Sequence, residues 1–183
     1  MSTPSIPPLI DENVQALTQL YQLLGNVSAQ DYQRALGAKA TQSLGKHVRH
    51  ILEHYQTLLD VCAAAPAQVT FDYEQRQRQA TLENQPHLAR ERVAALKAGL
   101  SALSAIPHDT PLTLSYPVEA ERANSALSLP TSLGRELAFL TSHSIHHMAL
   151  LGLLCEQLGI TLPNNFGVHP STLRYWEQQR SAS

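Results

Sequence analysis

The chain has 183 residues, 43% of them hydrophobic and 15% charged, with a formal net charge of -2. That length and composition suit one domain with a hydrophobic core and exclude a disordered polymer. The near-balanced charge excludes a global basic field of the kind that holds phosphates, so nucleic acid is not an expected partner.

Taken in chain order, Ile10, Val14, Leu17, Leu20, Tyr21 and Leu24 form one apolar stripe and predict a first helix from about Leu9 to Gly25. Ser28 followed by Asp31 has the chemistry of an N-cap and predicts a short extra turn. A second helix is expected after Thr41, taken as its N-cap, and ends by Pro66. Its stripe is Leu44, Val48, Ile51, Leu52, Tyr55, Leu58 and Leu59. A connector from Ala67 to Arg78 leads to a third helix over roughly Gln79 to Ile106, closed by Pro107. Pro86 draws the true start of that helix towards Asn84, because proline is tolerated in a first turn but kinks a helix interior.

Between Pro111 and Leu129 the period changes. Leu112, Leu114 and Tyr116 alternate, as do Leu127 and Leu129, which predicts a small β-hairpin or extended excursion. Pro130, Thr131 and Ser132 then open a long fourth helix ending at Gly159. A tail with Pro163, Gly167 and Pro170 carries a short helical stretch from Ser171 to Gln178. Four long helices with longer connections in the middle predict an all-α four-helix bundle with a crossover connection, as a single domain over residues 1–183.

Cys62 and Cys155 lie far apart in apolar helical runs, where thiols act as small core hydrophobes; a disulfide framework is not expected. The first residues lack the basic and apolar regions of a secretory signal, and no uninterrupted apolar run reaches the length of a membrane span. The expectation is a cytoplasmic protein without a membrane partner.

Six of the nine histidines fall in two windows, His47, His50 and His54 in the second helix and His143, His146 and His147 in the fourth. Residues four apart lie one turn above each other, so His143 and His147 can serve one ion, and both fall within the apolar face. His146 points away from it. Two imidazoles on a core face need partners, either a metal or hydrogen-bonding neighbours. In the other window all three histidines flank the apolar stripe. Periodicity favours His47 or His54 as the inward residue and does not select His50.

Three segments resemble DinB-like proteins: Ser43 to His54 (SLGKHVRHILEH), Arg135 to His147 (RELAFLTSHSIHH) and Phe71 to Arg78 (FDYEQRQR). The resemblance covers about Thr41 to Gly159. It implies a four-helix bundle binding one divalent metal ion through three histidines, which by motif position are His50, His143 and His147. Ile51 and Glu53 stand at the apolar and acidic places that follow the first ligand. After the last ligand the chain has Met148 and Ala149, where many family members have a small residue and glutamine; that changes the polar surroundings which orient ligands.

Imidazole ligands suit zinc, nickel or iron alike. Three histidines leave coordination positions open, as a catalytic centre requires. The resemblance implies a metal-dependent enzyme, either a thiol-dependent S-transferase or a hydrolase, with a small-molecule substrate or a low-molecular-weight thiol as partner. Tyr73, Arg76 and Arg78 are candidates for the site mouth and for contact with an anionic substrate, although both arginines read equally well as solvated charges. Glu53 is a hydrogen-bond partner of a ligand histidine or a base, or equally an exposed helix glutamate. The alternative function is a non-catalytic, stress-associated helical bundle in which the ion is structural, with His47, His54 or Glu53 as a fourth ligand. Tyr175 and Trp176 are candidates for a homodimer contact, with packing inside the monomer as the equal alternative.

Overall fold

The first apolar stripe becomes α1, Pro7–Asn26, in a computed structural model that describes residues 6–64, 70–118 and 126–181. Pro7 and Pro8 occupy its first turn, where a missing N–H costs nothing, so the helix starts two residues before the expected Leu9. Ser28 caps the short α2, Ala29–Gln33, by accepting from Asp31 N. The next long helix, α3, is Leu44–Ala63 and is capped by Ser43, whose hydroxyl accepts from Lys46 N at 3.2 Å. Thr41, the expected cap, lies outside the helix and instead offers its carbonyl to Lys46 Nζ.

The expected third helix is divided at Gln85. Its pieces are α4, Ala80–Asn84, and α5, Pro86–Ala102, followed by one tight turn over Leu103–Ala105. Pro86 is the physical reason: it starts α5 well but cannot continue a helix from α4. Two strands form the expected hairpin, β2 (Pro111–Pro117) and β3 (Ala126–Ser132), paired antiparallel with Leu114 opposite Leu129. The connector adds a short strand, β1 (Thr70–Phe71), parallel to β2, so the sheet has three strands. Residues 65–69, which take in the expected helix end at Pro66 and the start of the connector, and the hairpin tip fall outside the described residues.

Ser132 caps α6, Leu133–Gln157, which the small sheet directly precedes. Close packing joins α1 to α5 and α6, and α3 to α5 and α6, while β1 touches α3 and β3 touches α6. The core between them is aliphatic, with Leu17, Leu20, Ile51, Leu52, Leu96, Leu137 and Leu140 fully enclosed. By length and composition α6 could cross a membrane, yet it packs against α1 and α3 and carries the enclosed Glu136. The last helix, α7 (Pro170–Ser181), buries no residue, and Tyr175 and Trp176 stand exposed.

One polar knot crosses this core. Tyr55 donates to Asn13 Oδ1 at 2.7 Å and accepts from Ser144 Oγ at 3.1 Å, while Asn13 Nδ2 donates to the carbonyls of Leu9 and Leu137. It pins α1, α3 and α6 together at one level. His54 and His143 are the chain neighbours of Tyr55 and Ser144, so the same pins set where the histidines meet.

Candidate metal centre

Helical spacing brings the two histidine windows face to face across the α3–α6 contact. His50 lies 4.3 Å from His54, 4.9 Å from His143 and 4.4 Å from His147 between ring centroids. His54 and His143 are 4.2 Å apart, and His143 and His147 4.7 Å. The three residues whose candidate ligand atoms converge, all within 4.8 Å of one another, are His50, His54 and His143. His147 stands beside that group and shares a hydrogen bond with His47, Nδ1 to Nδ1 at 3.1 Å. His146 is exposed, edge-on to His147.

These imidazoles are in the form a metal needs. Burial, then the neighbouring histidines and Arg76, pushes His50 down to about 2; burial is also the main cause that lowers His143 and His54 to about 4 and His147 to about 3. All four are therefore neutral at pH 7, the protonation state from which imidazole coordinates a metal. His54 donates Nδ1–H to the His50 carbonyl at 2.7 Å, which leaves its Nε2 as the free donor atom. His143 Nε2 is enclosed and has no hydrogen-bond partner among the described residues. An enclosed nitrogen without a partner is costly in a finished core and is resolved by an ion at that position. The residues present thus fit a divalent metal ion.

The surrounding side chains fall into two sets. Tyr73 is stacked on His54 and donates to Glu136 Oε2 at 2.9 Å. Glu136, 0% exposed, also accepts from Thr131 Oγ1 and Arg135. Burial and the Glu136 carboxylate hold the Tyr73 phenol far above its ordinary range, so Tyr73 acts as a fixed neutral donor. On the other side, Arg76 contacts His50 Nδ1 and lies 3.9 Å from Glu53 Oε2. Glu53 is buried and accepts from Gln79 N at 2.8 Å, holding the start of α4; it bonds no histidine ring. A guanidinium only donates, so in this arrangement His50 Nδ1 spends its lone pair on Arg76.

His50, His54 and His143 form the floor of a cavity of about 520 Å³, which His147 does not line. Tyr73, Phe139, Leu114 and Leu129 form apolar walls, and Arg76, Arg78 and Arg135 contribute charge. Cys155 is buried away from this cavity, and burial raises its thiol to about 11, which makes it an inert core residue.

The family model for the DinB family matches residues 1–180. This chain belongs to the DinB family. It is also similar to the FK506-binding protein 5 of Rhizopus delemar (strain RA 99-880), 35% identical over 108 residues, which are 59% of this chain and 28% of that protein. The chain therefore spans little more than a quarter of that relative's length. In this DinB-family chain a three-histidine group offers the kind of donor set with which DinB-like proteins bind metal.

Sequence reasoning missed three contributors on α6. Arg135 and Phe139 line the cavity and Glu136 holds Tyr73, and Phe139 and Arg135 stand four and eight residues before His143 on the same helical row. That spacing was the available signal. Glu136, an acidic residue within an apolar face, was another.

Proposed function

We propose that this DinB-family chain is a metal-dependent enzyme acting on a small molecule, as a thiol-dependent S-transferase or a hydrolase. One zinc, nickel or iron ion is held by His50, His143 and His147, the positions that match the family motif. The long helices α1, α3, α5 and α6 read as a four-helix bundle in which α1 and α3 occupy one diagonal; the α1–α3 link is then the crossover. The observation that carries the proposal is the unpartnered Nε2 of His143 among neutral imidazoles, at the floor of a cavity open to small molecules. A purely structural ion would not need such access.

When bound, the ion supplies Lewis acidity, which favours a thiolate or hydroxide nucleophile near neutral pH. The chain's own residues do the rest. His54, fixed through its bond to the His50 carbonyl, orients its Nε2 towards the reacting space. Tyr73, fixed by Glu136, bounds that space with a ring that excludes water. Thiol transfer forms a carbon–sulfur bond, passes the thiol proton to solvent and releases the electrophile's leaving group. Hydrolysis uses water in the same role.

The convergence of His54 with His50 and His143 favours a second reading, in which His54 joins the ligands, the shell closes and the ion stabilises the fold. Metal content by elemental analysis, on protein purified without a nickel column, tests the site. About one equivalent in the wild type, lost in His143→Ala/His147→Ala, supports it, and no uptake after reconstitution rules it out. Cobalt substitution then separates the two readings. Retained binding in His54→Ala with an absorption spectrum that shifts on adding thiol supports the open enzyme site. Loss of the ion in His54→Ala, with no thiol-dependent spectral change in the wild type, supports the closed one.

A further inference from the structure

The row Arg135, Phe139, His143 on α6 runs from the cavity's rim to its floor. Phe139 is stacked 5.4 Å from the His143 ring, and the Arg135 guanidinium lies 5.5 Å from the Phe139 centroid. Arg135 is 61% exposed, so its charge reaches solvent at the rim while its stem lies along the aromatic wall. Across the cavity, Leu114, Tyr116 and Leu129 of the hairpin supply apolar surface; Tyr116 is 51% exposed and unneeded by the core.

A second rim cation comes from the connector. Arg78 is exposed, lines the same cavity and makes no ion pair or hydrogen bond among the described residues. Its backbone is left-handed, with φ 49°, a conformation unfavourable for any side chain but glycine. Strain of this kind persists where surrounding structure fixes the residue, and it clusters at ligand sites. Asp72 and Glu74 also line the cavity, but the Asp72 carboxylate is turned into its own backbone, accepting from Glu74 N at 2.7 Å, and Glu74 faces solvent. Arg76 is occupied with His50 and Glu53. Arg135 gives one Nη1 donor to the enclosed Glu136 at 3.0 Å and keeps its other guanidinium donors at the exposed rim. The free cationic donors at the rim are therefore those of Arg78 and the outer edge of Arg135.

From this arrangement we infer that the cavity receives an organic carboxylate with an apolar body. The carboxylate is taken by Arg78 and Arg135, and the body lies between Phe139 and the hairpin. This rests on the reading that the histidines are the reacting end of the site. Guanidinium groups match carboxylates in shape and charge, and an apolar pocket with a few fixed polar groups is the usual form of a small-molecule site. The row also sets a length. Two turns and a fraction of helix separate Arg135 from His143, roughly 12 Å at about 1.5 Å per residue. Molecules much shorter than this cannot meet rim and floor together.

Isothermal titration with phenylacetate, 4-phenylbutyrate and 6-phenylhexanoate, each beside its neutral amide, tests the assignment on metal-loaded and chelator-stripped protein. The longer carboxylates should bind at least tenfold more tightly than their amides, in both protein forms, and phenylacetate should bind most weakly. In Arg78→Gln/Arg135→Gln the preference should fall below threefold with the melting temperature retained. Phe139→Ala should weaken carboxylates and amides alike. Equal binding of acid and amide by the wild type overturns the inference, as does a preference that survives the double replacement. A preference present only with metal would place the carboxylate on the ion; it overturns the arginine assignment and leaves the metal reading standing. An arginine-dependent preference in a protein that takes up no metal does the reverse.

Discussion

Two polar clusters lie side by side between α3 and α6, and they are finished in opposite ways. In the Asn13–Tyr55–Ser144 knot each side chain has a hydrogen-bond partner inside the core, and Tyr55 is fully enclosed. In the histidine cluster, one residue along in each helix, His143 Nε2 has none, and a cavity opens onto the rings. Burial of polar groups is tolerated when hydrogen bonds replace lost hydration, and each satisfied bond contributes about 1 kcal/mol. The knot meets that condition without help. The histidines do not, and the difference marks the first as scaffold and the second as a group that could hold a metal ion.

The sharpest way to break this contrast is to remove the proposed ligands. His143→Ala/His147→Ala should reduce metal content from about one equivalent to below a tenth, read by elemental analysis, while the chain still folds by circular dichroism. If the wild type itself carries no metal, the histidine cluster is scaffold too.

Tyr55→Phe should act on the other side of the comparison. It strands Asn13 Oδ1 and removes the acceptor of Ser144, at a cost of about 1–3 kcal/mol measured by denaturant unfolding. Metal stoichiometry should stay near that of the wild type. A variant as stable as the wild type would show that water or repacking satisfies the knot.

The same contrast predicts the pH dependence of the metal-free protein. His50, His54, His143 and His147 are held below their ordinary values in the folded chain, while the unfolded chain titrates them near 6.5. Below pH 6.5 the unfolded state binds more protons, so stability falls as pH drops from about 6.5 towards 4 and is retained above that window. Denaturant midpoints across pH 4–8 measure it. The slope should shrink in His143→Ala/His147→Ala, and an unchanged slope would place its origin elsewhere.

The smallest expected effect concerns Arg76. Its guanidinium takes the His50 Nδ1 lone pair and places a positive charge against the cluster. Arg76→Gln should tighten metal binding several-fold, in a competition titration with a chromophoric chelator. Weaker binding would instead make Arg76, through Glu53, a support of the ligand geometry.

The helices were legible because their stripes are long: Ile10 to Leu24 and Leu44 to Leu59 each span four turns, enough for period to decide. Alternation likewise exposed β2 and β3, although it did not separate a core-facing residue from a cavity-facing one. Leu112 is buried whereas Leu129 and Tyr116 are partly exposed at the cavity. β1 is two residues long, too short for any period, and exists because β2 offers it an edge.

In the site, the i, i+4 spacing placed His143 and His147 on one face, since that relation is internal to a helix. Periodicity pointed to His47 or His54 and the family motif to His50; the structure brings all three near the α6 histidines. Local pattern therefore determined the helices, the hairpin and the pairing of histidines along α6. Only the tertiary structure decided which histidines from α3 meet them, that Glu53 holds α4 rather than an imidazole, and that Arg78, Arg135 and Phe139 enclose one cavity. Those relations join residues far apart in the chain, and their distances depend on how the helices and the small sheet pack, a quantity no local period carries.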